Sequence, residues 1–259
     1  MSDPASREGQ TFAGASRLTA YANFVKLPHT LFALPFALVG TVLASYERPI
    51  SAARIGWVVL AFTAARFAAM GFNRIADRHI DARNPRTARR ELPAGVLGVA
   101  EATAAVAVAS AIFVVAAWRL NVLCLALSPV ALAWVFAYSY TKRFMRWSHL
   151  VLGLGLAIAP VGGYLAITGR WSEPWWMLCA LAVAVATWVA GIDILYALQD
   201  VAFDRENALH SVPVAFGDAG ALAIARALHV MTVASLALVG IAAGAGWLYA
   251  AGVAVAAAL

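Results

Sequence analysis

The stretch RIGWVVLAFTAARFAAMGFNRIADRHIDARN, residues 54–84, decides the fold class because an apolar run leads directly into a spaced acidic motif. The apolar part, residues 54–73, has about the 20 residues that a helix needs to cross a bilayer. The motif that follows is Asn73-x3-Asp77-x3-Asp81. Carboxylates at a membrane boundary are costly unless they find a partner of opposite charge. The stretch therefore predicts a transmembrane helix whose end carries a functional site.

The composition indicates that the whole chain lies in a bilayer. Its 259 residues are 63% hydrophobic and only 12% charged, whereas a soluble domain is about half apolar and a quarter charged. We place apolar runs at residues 29–46, 54–73, 98–118, 120–138, 148–168, 175–195 and 219–244, with an eighth from Trp247. These runs predict an all-α polytopic membrane protein.

The two ends of the chain carry separate expectations. Residues 1–20 are expected to form a disordered cytoplasmic tail, and residues 21–259 a single transmembrane domain. The eighth apolar run reaches Leu259 before it is long enough to span. Either the protein ends in a short helix or this chain lacks its natural C-terminus.

The net charge of +6 does not indicate a nucleic-acid partner, because the basic residues have a membrane pattern. Most of the 19 lysine and arginine residues fall on one side of the predicted helices. The positive-inside rule makes that side cytoplasmic. Both acidic motifs fall there too, so we expect a site that faces the cytoplasm.

The second acidic motif is Asp193-x2-Tyr196-x3-Asp200-x3-Asp204, and it ends like the first in Asp-x3-Asp-x2-Asn. At about 100° per residue, the members of each motif share one face of a helix. Two acidic faces can then oppose each other across a cavity. Magnesium takes oxygen ligands, commonly one or two carboxylates together with substrate phosphates. The pair of motifs therefore predicts a site for Mg²⁺ and a diphosphate.

Basic residues accompany the motifs at the same membrane face. Arg86 and the pair Lys142-Arg143 are our candidates for binding the diphosphate, because phosphate groups also need a cationic clamp. The alternative is ordinary positive-inside anchoring. We prefer anchoring for Arg89, Arg90, Arg146 and Arg205.

Two charged residues lie deeper in the predicted helices. Arg66 could bind a substrate carboxylate through its guanidinium fork, and Asp193 with Tyr196 could orient a phenol or accept its proton. Alternatively, Asp193 neutralises Arg66 as a structural ion pair. His149 is interpreted as an interfacial or packing residue rather than a catalyst.

These segments resemble the UbiA superfamily of intramembrane aromatic prenyltransferases over nearly the whole chain. The resemblance rests on KLPHTLFALPF at 26–36, residues 73–95, YSYTKR at 138–143, Ala159-Pro160 with Gly162-Gly163, and residues 193–217. Asn73-Arg74-x2-Asp77 is similar to the 4-hydroxybenzoate polyprenyltransferase type. RTARRELPAG, DILYALQDVAFD and LHSVP are closer to the UbiA-like enzymes of bacterial menaquinone synthesis.

The resemblance implies nine helices around a central cavity, of which eight are present here and the last is short. It implies that Mg²⁺ and the diphosphate are held by Asn73, Asp77, Asp81, Asp200 and Asp204. Arg86 and Lys142 would contact the phosphates, and Arg66 with Asp193 would face the acceptor. Ser139 departs from the pattern, since many relatives have proline there. Residues 201–203 also depart from it, since some relatives have further acids.

The sequence thus predicts Mg²⁺-dependent transfer of a polyprenyl group from its diphosphate to the ring of a hydroxylated aromatic acid. The expected acceptor is of the 4-hydroxybenzoate type, and the expected place is quinone biosynthesis in the bacterial inner membrane. Alternative acceptors are a dihydroxynaphthoate and a haem or chlorophyll precursor. Intramembrane cyclisation is a further alternative. Outside the enzymes, the alternative is an ion-coupled transporter, because such proteins also carry intramembrane acids.

Overall fold

The computed structural model describes residue 12 and residues 16–258 of the chain, and the described part is helical without strands. The helices are α1 (Arg17–Phe24), α2 (Leu27–Ser45), α3 (Ala52–Arg83), α4 (Val99–Leu120), α5 (Val122–Thr141), α6 (Ser148–Thr168), α7 (Trp176–Ala197), α8 (Val201–Glu206), α9 (Val212–Ala242) and α10 (Trp247–Ala258).

Seven of the helical segments described are long and apolar enough to cross a membrane. They are α2, α3, α4, α5, α6, the segment Trp176–Glu206 that begins with α7, and α9. The last helix, α10, is apolar but has only 12 residues. The prediction of an all-α polytopic protein with seven spans and a short eighth helix is confirmed.

The N-terminal tail and two helix boundaries differ from the expectation. Most of the disordered tail expected at residues 1–20 lies outside the described residues, and its end belongs to α1, which begins at Arg17. Helix α3 extends well beyond the apolar run at 54–73, whereas α9 contains a kink at Gly217, where φ is 69°, and only its part after the kink follows the run at 219–244. A helix continues past its apolar run because polar side chains at the membrane surface can be hydrated without breaking backbone hydrogen bonds.

The length of α3 places the first acidic motif at one end of the bundle. Ser51 caps the helix by accepting a hydrogen bond from the Arg54 N–H at 3.3 Å. Its 32 residues make a rod of about 48 Å at 1.5 Å per residue, longer than the roughly 30 Å hydrocarbon core. The last turns, with Asp77 and Asp81, therefore reach the interface. The helix ends at Arg83 because the residue before Pro85 disfavours the helical conformation.

The second motif does not lie on one regular helix, which corrects the assumption of a shared helical face. Helix α7 ends at Ala197, a 3₁₀ turn covers Leu198–Asp200, and α8 follows. The tighter turn changes the angular spacing of the side chains. Asp193 and Tyr196 thus belong to one helix, and Asp204 belongs to another.

Helix α6 packs closely against both α2 and α7. A Cβ atom on Gly163 would overlap the carbonyl oxygen of Ala37 in α2, and one on Gly153 would overlap that of Ala186 in α7. Small residues that let backbones approach are typical of helix contacts in membranes, where dispersion forces rather than water exclusion favour packing.

The loop between α3 and α4 is folded back onto the bundle. Arg74 and Glu91 form a buried ion pair at 3.6 Å, with side chains 3% and 5% exposed, and burial raises the pKa of the Glu91 carboxyl. Leu97, near the end of the loop, packs with Phe24 of α1 in an apolar cluster. The loop is therefore fixed at both of these points, which holds the arginines between α3 and Glu91 near the end of α3.

The contact between α6 and α2 generates a stability prediction with an adjacent control. Gly163→Ala should lower the free energy of unfolding by about 1–3 kcal/mol, because the new methyl group meets backbone that cannot rotate away. Gly162→Ala meets open space, and alanine is the better helix former. We expect its thermal midpoint in detergent to equal or exceed that of the wild type. Equal midpoints for the two variants would contradict the close packing of α6 on α2.

Candidate active site

A cavity of about 1210 Å³ lies in the centre of the bundle and contains almost all of the sequence-predicted site residues. Ten of these line it: Arg66, Asn73, Asp77, Asp81, Arg86, Lys142, Asp193, Tyr196, Asp200 and Asp204. Arg143 is not part of the lining, although it contacts Asp77. Both acidic motifs therefore open into the same space.

Away from the charged residues, the cavity wall is apolar. Small and aromatic side chains of several helices form it, and Phe36 of α2 lies 5.4 Å from Trp188 of α7, measured between ring centroids. Such a lining suits a hydrocarbon chain. Aromatic faces can also stabilise a cation within about 6 Å. The cavity is therefore amphipathic, with charge at one end and apolar surface beyond it.

Asp77 is the most strongly paired carboxylate of the first motif. Its side chain is 3% exposed, and Lys142 lies 2.6 Å from one oxygen and Arg143 3.4 Å from the other. The Asn73 amide donates to the same carboxylate at 3.3 Å. Lys142 and Arg143 follow directly after α5, and the Lys142 carbonyl accepts the His210 N–H at 2.8 Å. The end of α5 is thereby bound both to Asp77 of the first motif and to the segment that follows the second motif.

Asp81 is paired within its own half of the site. One guanidinium nitrogen of Arg90 lies 2.9 Å from both oxygens of the Asp81 carboxylate. The hydroxyl of Thr87 donates to the Asp81 carbonyl at 3.0 Å, which fixes the loop that carries Arg90. The assignment of Arg90 to membrane anchoring is therefore corrected, because its side chain lines the cavity and binds a motif carboxylate.

Asp200 links the second motif to the loop that follows the first. Arg86 binds it in bidentate fashion, with Nε 3.0 Å from Oδ1 and Nη2 on Oδ2. The Asn84 amide also donates to Asp200, at 3.2 Å, and its carbonyl oxygen accepts the Arg86 N–H at 2.9 Å. In the sequence, Asn84 is only the last residue of the motif pattern. Its bridging role could not be found from spacing, since Asn207 at the matching position binds its own helix instead.

Asp204 and Tyr196 complete the second side of the cavity. Asp204 is partly buried in α8, and Tyr196 is 55% exposed toward the end of α7. Both line the cavity. Their positions agree with the sequence-predicted site, although a helix break lies between them.

Arg66 and Asp193 lie deeper, and the structure does not pair them with each other. Arg66 makes no ion pair with the described residues, and its buried Nε has no hydrogen-bond partner there. Asp193 instead contacts His149, with Nδ1 2.7 Å from Oδ2. The alternative of a structural Arg66–Asp193 pair is thus wrong. A cation without a partner in an apolar wall is unfavourable unless a ligand supplies the counter-charge.

His149, which the sequence predicts only as an interfacial or packing residue, also lies in the cavity. It is 4% exposed, lines the cavity and connects α6 to both α7 and the start of α9. The sequence offers no signal for this role, because a histidine at a helix start is as easily a packing residue.

The donor set fits a magnesium ion bound together with a phosphate ligand. Within the described part of the chain, no three acidic, histidine or cysteine side chains converge closely enough to form a metal site of their own. The motif carboxylates are hard oxygen donors, and Mg²⁺ commonly uses one or two of these with substrate phosphates and water. A site that is completed by the phosphates suits this arrangement better than a closed protein cage.

Comparison with known proteins gives related sequences along most of the chain. The chain is 30% identical over 197 residues to a 4-hydroxybenzoate octaprenyltransferase of Citrobacter koseri, covering 74% of this chain and 67% of that protein. It is 29% identical over 181 residues to a mitochondrial 4-hydroxybenzoate polyprenyltransferase of Schizosaccharomyces pombe, covering 70% of this chain and 50% of that protein. The chain therefore spans about half to two thirds of the length of these relatives.

Solved structures share the fold. The apo structure of a UbiA homologue from Aeropyrum pernix K1 has 37% sequence identity and a TM-score of 0.82, covering 88% of this chain and 84% of that chain. A UbiA homologue from Archaeoglobus fulgidus, bound to DMAPP and Mg²⁺, has a TM-score of 0.72 over 92% of this chain and 83% of that chain. At 21% identity the second likeness concerns the fold alone.

The profile of the UbiA prenyltransferase family matches residues 33–259. This range contains both acidic motifs and the cavity-lining helices from residue 33 of α2 onward. On the extent of that match, the chain belongs to the UbiA prenyltransferase family.

Proposed function

We propose that this protein transfers a polyprenyl group from a polyprenyl diphosphate to the ring of a hydroxylated aromatic acid, in quinone biosynthesis. The observation that carries the proposal is the arrangement of charge in one cavity. Paired carboxylates and basic side chains lie at one end, and Arg66, which has no ion-pair partner in the described part of the chain, lies further in. This arrangement fits two substrates. One has a charged head and an apolar tail, and the other is an anion.

The ion pairs at the polar end supply the groups that a diphosphate requires. Arg86 and Lys142 each bind a motif carboxylate. If these carboxylates held Mg²⁺, the two basic side chains would be available to bind the diphosphate. Asp77, Asp81, Asp200 and Asp204 are the residues that would hold the ion, with Asn73 beside them. When bound, Mg²⁺ supplies positive charge that stabilises the departing diphosphate. Arg86 and Lys142 add charge to the same oxygens.

The acceptor would lie between Arg66 and Asp193. Arg66 binds a carboxylate with its planar fork, which fits an aromatic acid. The bond between the prenyl carbon and the diphosphate oxygen breaks, and its electron pair leaves with the diphosphate. A ring carbon then bonds to the prenyl carbon, and Asp193 accepts the proton released from that carbon. Tyr196 lies one turn away on α7 and would help orient the phenol.

The excess of basic residues at the motif end favours a cytoplasmic orientation of the site in a bacterial inner membrane. An ion-coupled transporter loses its support, because the family match and the diphosphate-binding charges both favour transfer chemistry. A dihydroxynaphthoate acceptor also carries a carboxylate and is therefore included in the test.

The test of the proposal is a panel of acceptors with purified protein, Mg²⁺ and a polyprenyl diphosphate. We expect a prenylated product with labelled 4-hydroxybenzoate, detected by mass, and its loss when EDTA removes the metal. If product formed only from a dihydroxynaphthoate, that compound would replace 4-hydroxybenzoate as the proposed acceptor. If no acid in the panel were prenylated, the proposed activity would be wrong.

Asp200→Asn should lower magnesium-dependent turnover by about 100-fold or more. The reason is that a carboxylate that would hold Mg²⁺ beside the diphosphate is replaced by a neutral amide of the same size. Asp218→Asn is the matched control, since Asp218 is exposed on α9 and outside the cavity. Initial rates at saturating substrates and thermal midpoints would be measured for both. Undiminished turnover in the folded Asp200 variant would contradict its role.

Arg66→Ala should raise the KM for the aromatic acid much more than the KM for the prenyl diphosphate, because the lost guanidinium faces the acceptor. Arg78→Ala is the control on the same helix, since Arg78 lies outside the cavity lining and binds the Ile75 carbonyl. Separate titrations of the two substrates provide the measurement. Equal changes in both KM values would make Arg66 a structural residue.

A further inference from the structure

The hydrogen bonds around His149 define its protonation pattern. Nε2 lies 3.3 Å from the Val212 backbone nitrogen, which can only donate. Nε2 must therefore accept, and it carries no proton. In a neutral imidazole the proton is then on Nδ1. The contact of 2.7 Å with Asp193 Oδ2 is consequently a hydrogen bond that the Nδ1–H of His149 donates to the carboxylate.

The partner of Nε2 is itself fixed by the fold. Val212 is the first residue of α9, after the Ser211 cap, and the N–H groups of a first helical turn have no partner within their helix. Val212 is fully buried, so its N–H gains by binding the imidazole. His149 thus joins the start of α6, the body of α7 and the start of α9 through two hydrogen bonds.

The same arrangement directs the Asp193 carboxylate. Both residues line the cavity, but the histidine side chain is buried, whereas the aspartate side chain is 34% exposed. Asp193 makes no other hydrogen bond within the residues described. One oxygen is therefore fixed by His149, and the other is left for a ligand in the cavity.

We infer that His149 is a positioning residue that orients Asp193 as the proton acceptor of the transfer reaction. This inference rests on the proposed function, in which the ring proton passes to Asp193. The imidazole holds the carboxylate in one rotamer and directs Oδ1 toward the acceptor. The proton moves from the ring carbon to Asp193, and His149 keeps its own proton on Nδ1 throughout.

The test compares two replacements of this histidine. His149→Leu removes the donor, and we expect kcat to fall about 10- to 100-fold, as for partners that orient a functional side chain elsewhere, with little change in either KM. His149→Asn places an amide N–H near the position of Nδ1, so it should recover most of the lost rate. His210→Leu, at an exposed histidine outside the cavity, should behave like the wild type.

A double-mutant cycle with Asp193→Asn separates positioning from general destabilisation. Once the carboxylate is gone, adding His149→Leu should cost little further rate. Thermal midpoints and binding of the prenyl diphosphate with Mg²⁺ would be measured on every variant. Full activity of His149→Leu, equal losses for the leucine and asparagine variants, or additive losses in the cycle would each overturn the inference. If the wild type prenylates no acceptor, the proposed function fails, and the inference fails with it.

Discussion

The rest of the site depends on the pairing of buried carboxylates with basic side chains at one end of the cavity. Asp77 is buried and would be very costly as an isolated charge, and Lys142 and Arg143 lie within ion-pair distance of it. Removing one partner of a buried pair typically costs about 3–5 kcal/mol, because the other charge is left uncompensated. The ends of α3 and α5 are therefore held together by groups that a diphosphate and a metal would also use.

The two motifs are alike in sequence but are built differently. The first lies on the unbroken helix α3, whereas the second is divided by the 3₁₀ turn at Leu198–Asp200. The break brings Asp200 to Arg86, which comes from the loop after the first motif. Each half of the site thus has a carboxylate that is paired with a cation from another part of the chain. Rigid helices place the motifs, and the ion pairs Asp77–Lys142 and Asp200–Arg86 fix how these helix ends and loops lie relative to one another.

The sequence predicts the part of the site that depends on local spacing. The length of α3 and its motif spacing place Asp77 and Asp81 on one side, and ten of the eleven predicted residues line one cavity. It does not predict contacts that depend on how distant helices meet. Arg90 could not be told from an anchoring residue, and His149 could not be told from a packing residue. Their partners, Asp81 and Asp193, are known only once the loop and α7 have been placed.

The depth of the charges gives the site a direction. At the polar end, Arg86 and Lys142 already have carboxylate partners. A ligand there must therefore replace both members of an ion pair, as a diphosphate together with a metal ion can. Arg66 has no such partner among the described residues and lies two helical turns before Asn73 on α3, so a ligand there would have to bring its own negative charge. The carboxylate of Asp193, directed by His149, faces the same cavity. In the proposed reaction, the diphosphate would leave at the polar end of the cavity, and Asp193 would accept the proton from the ring carbon that bonds to the prenyl group.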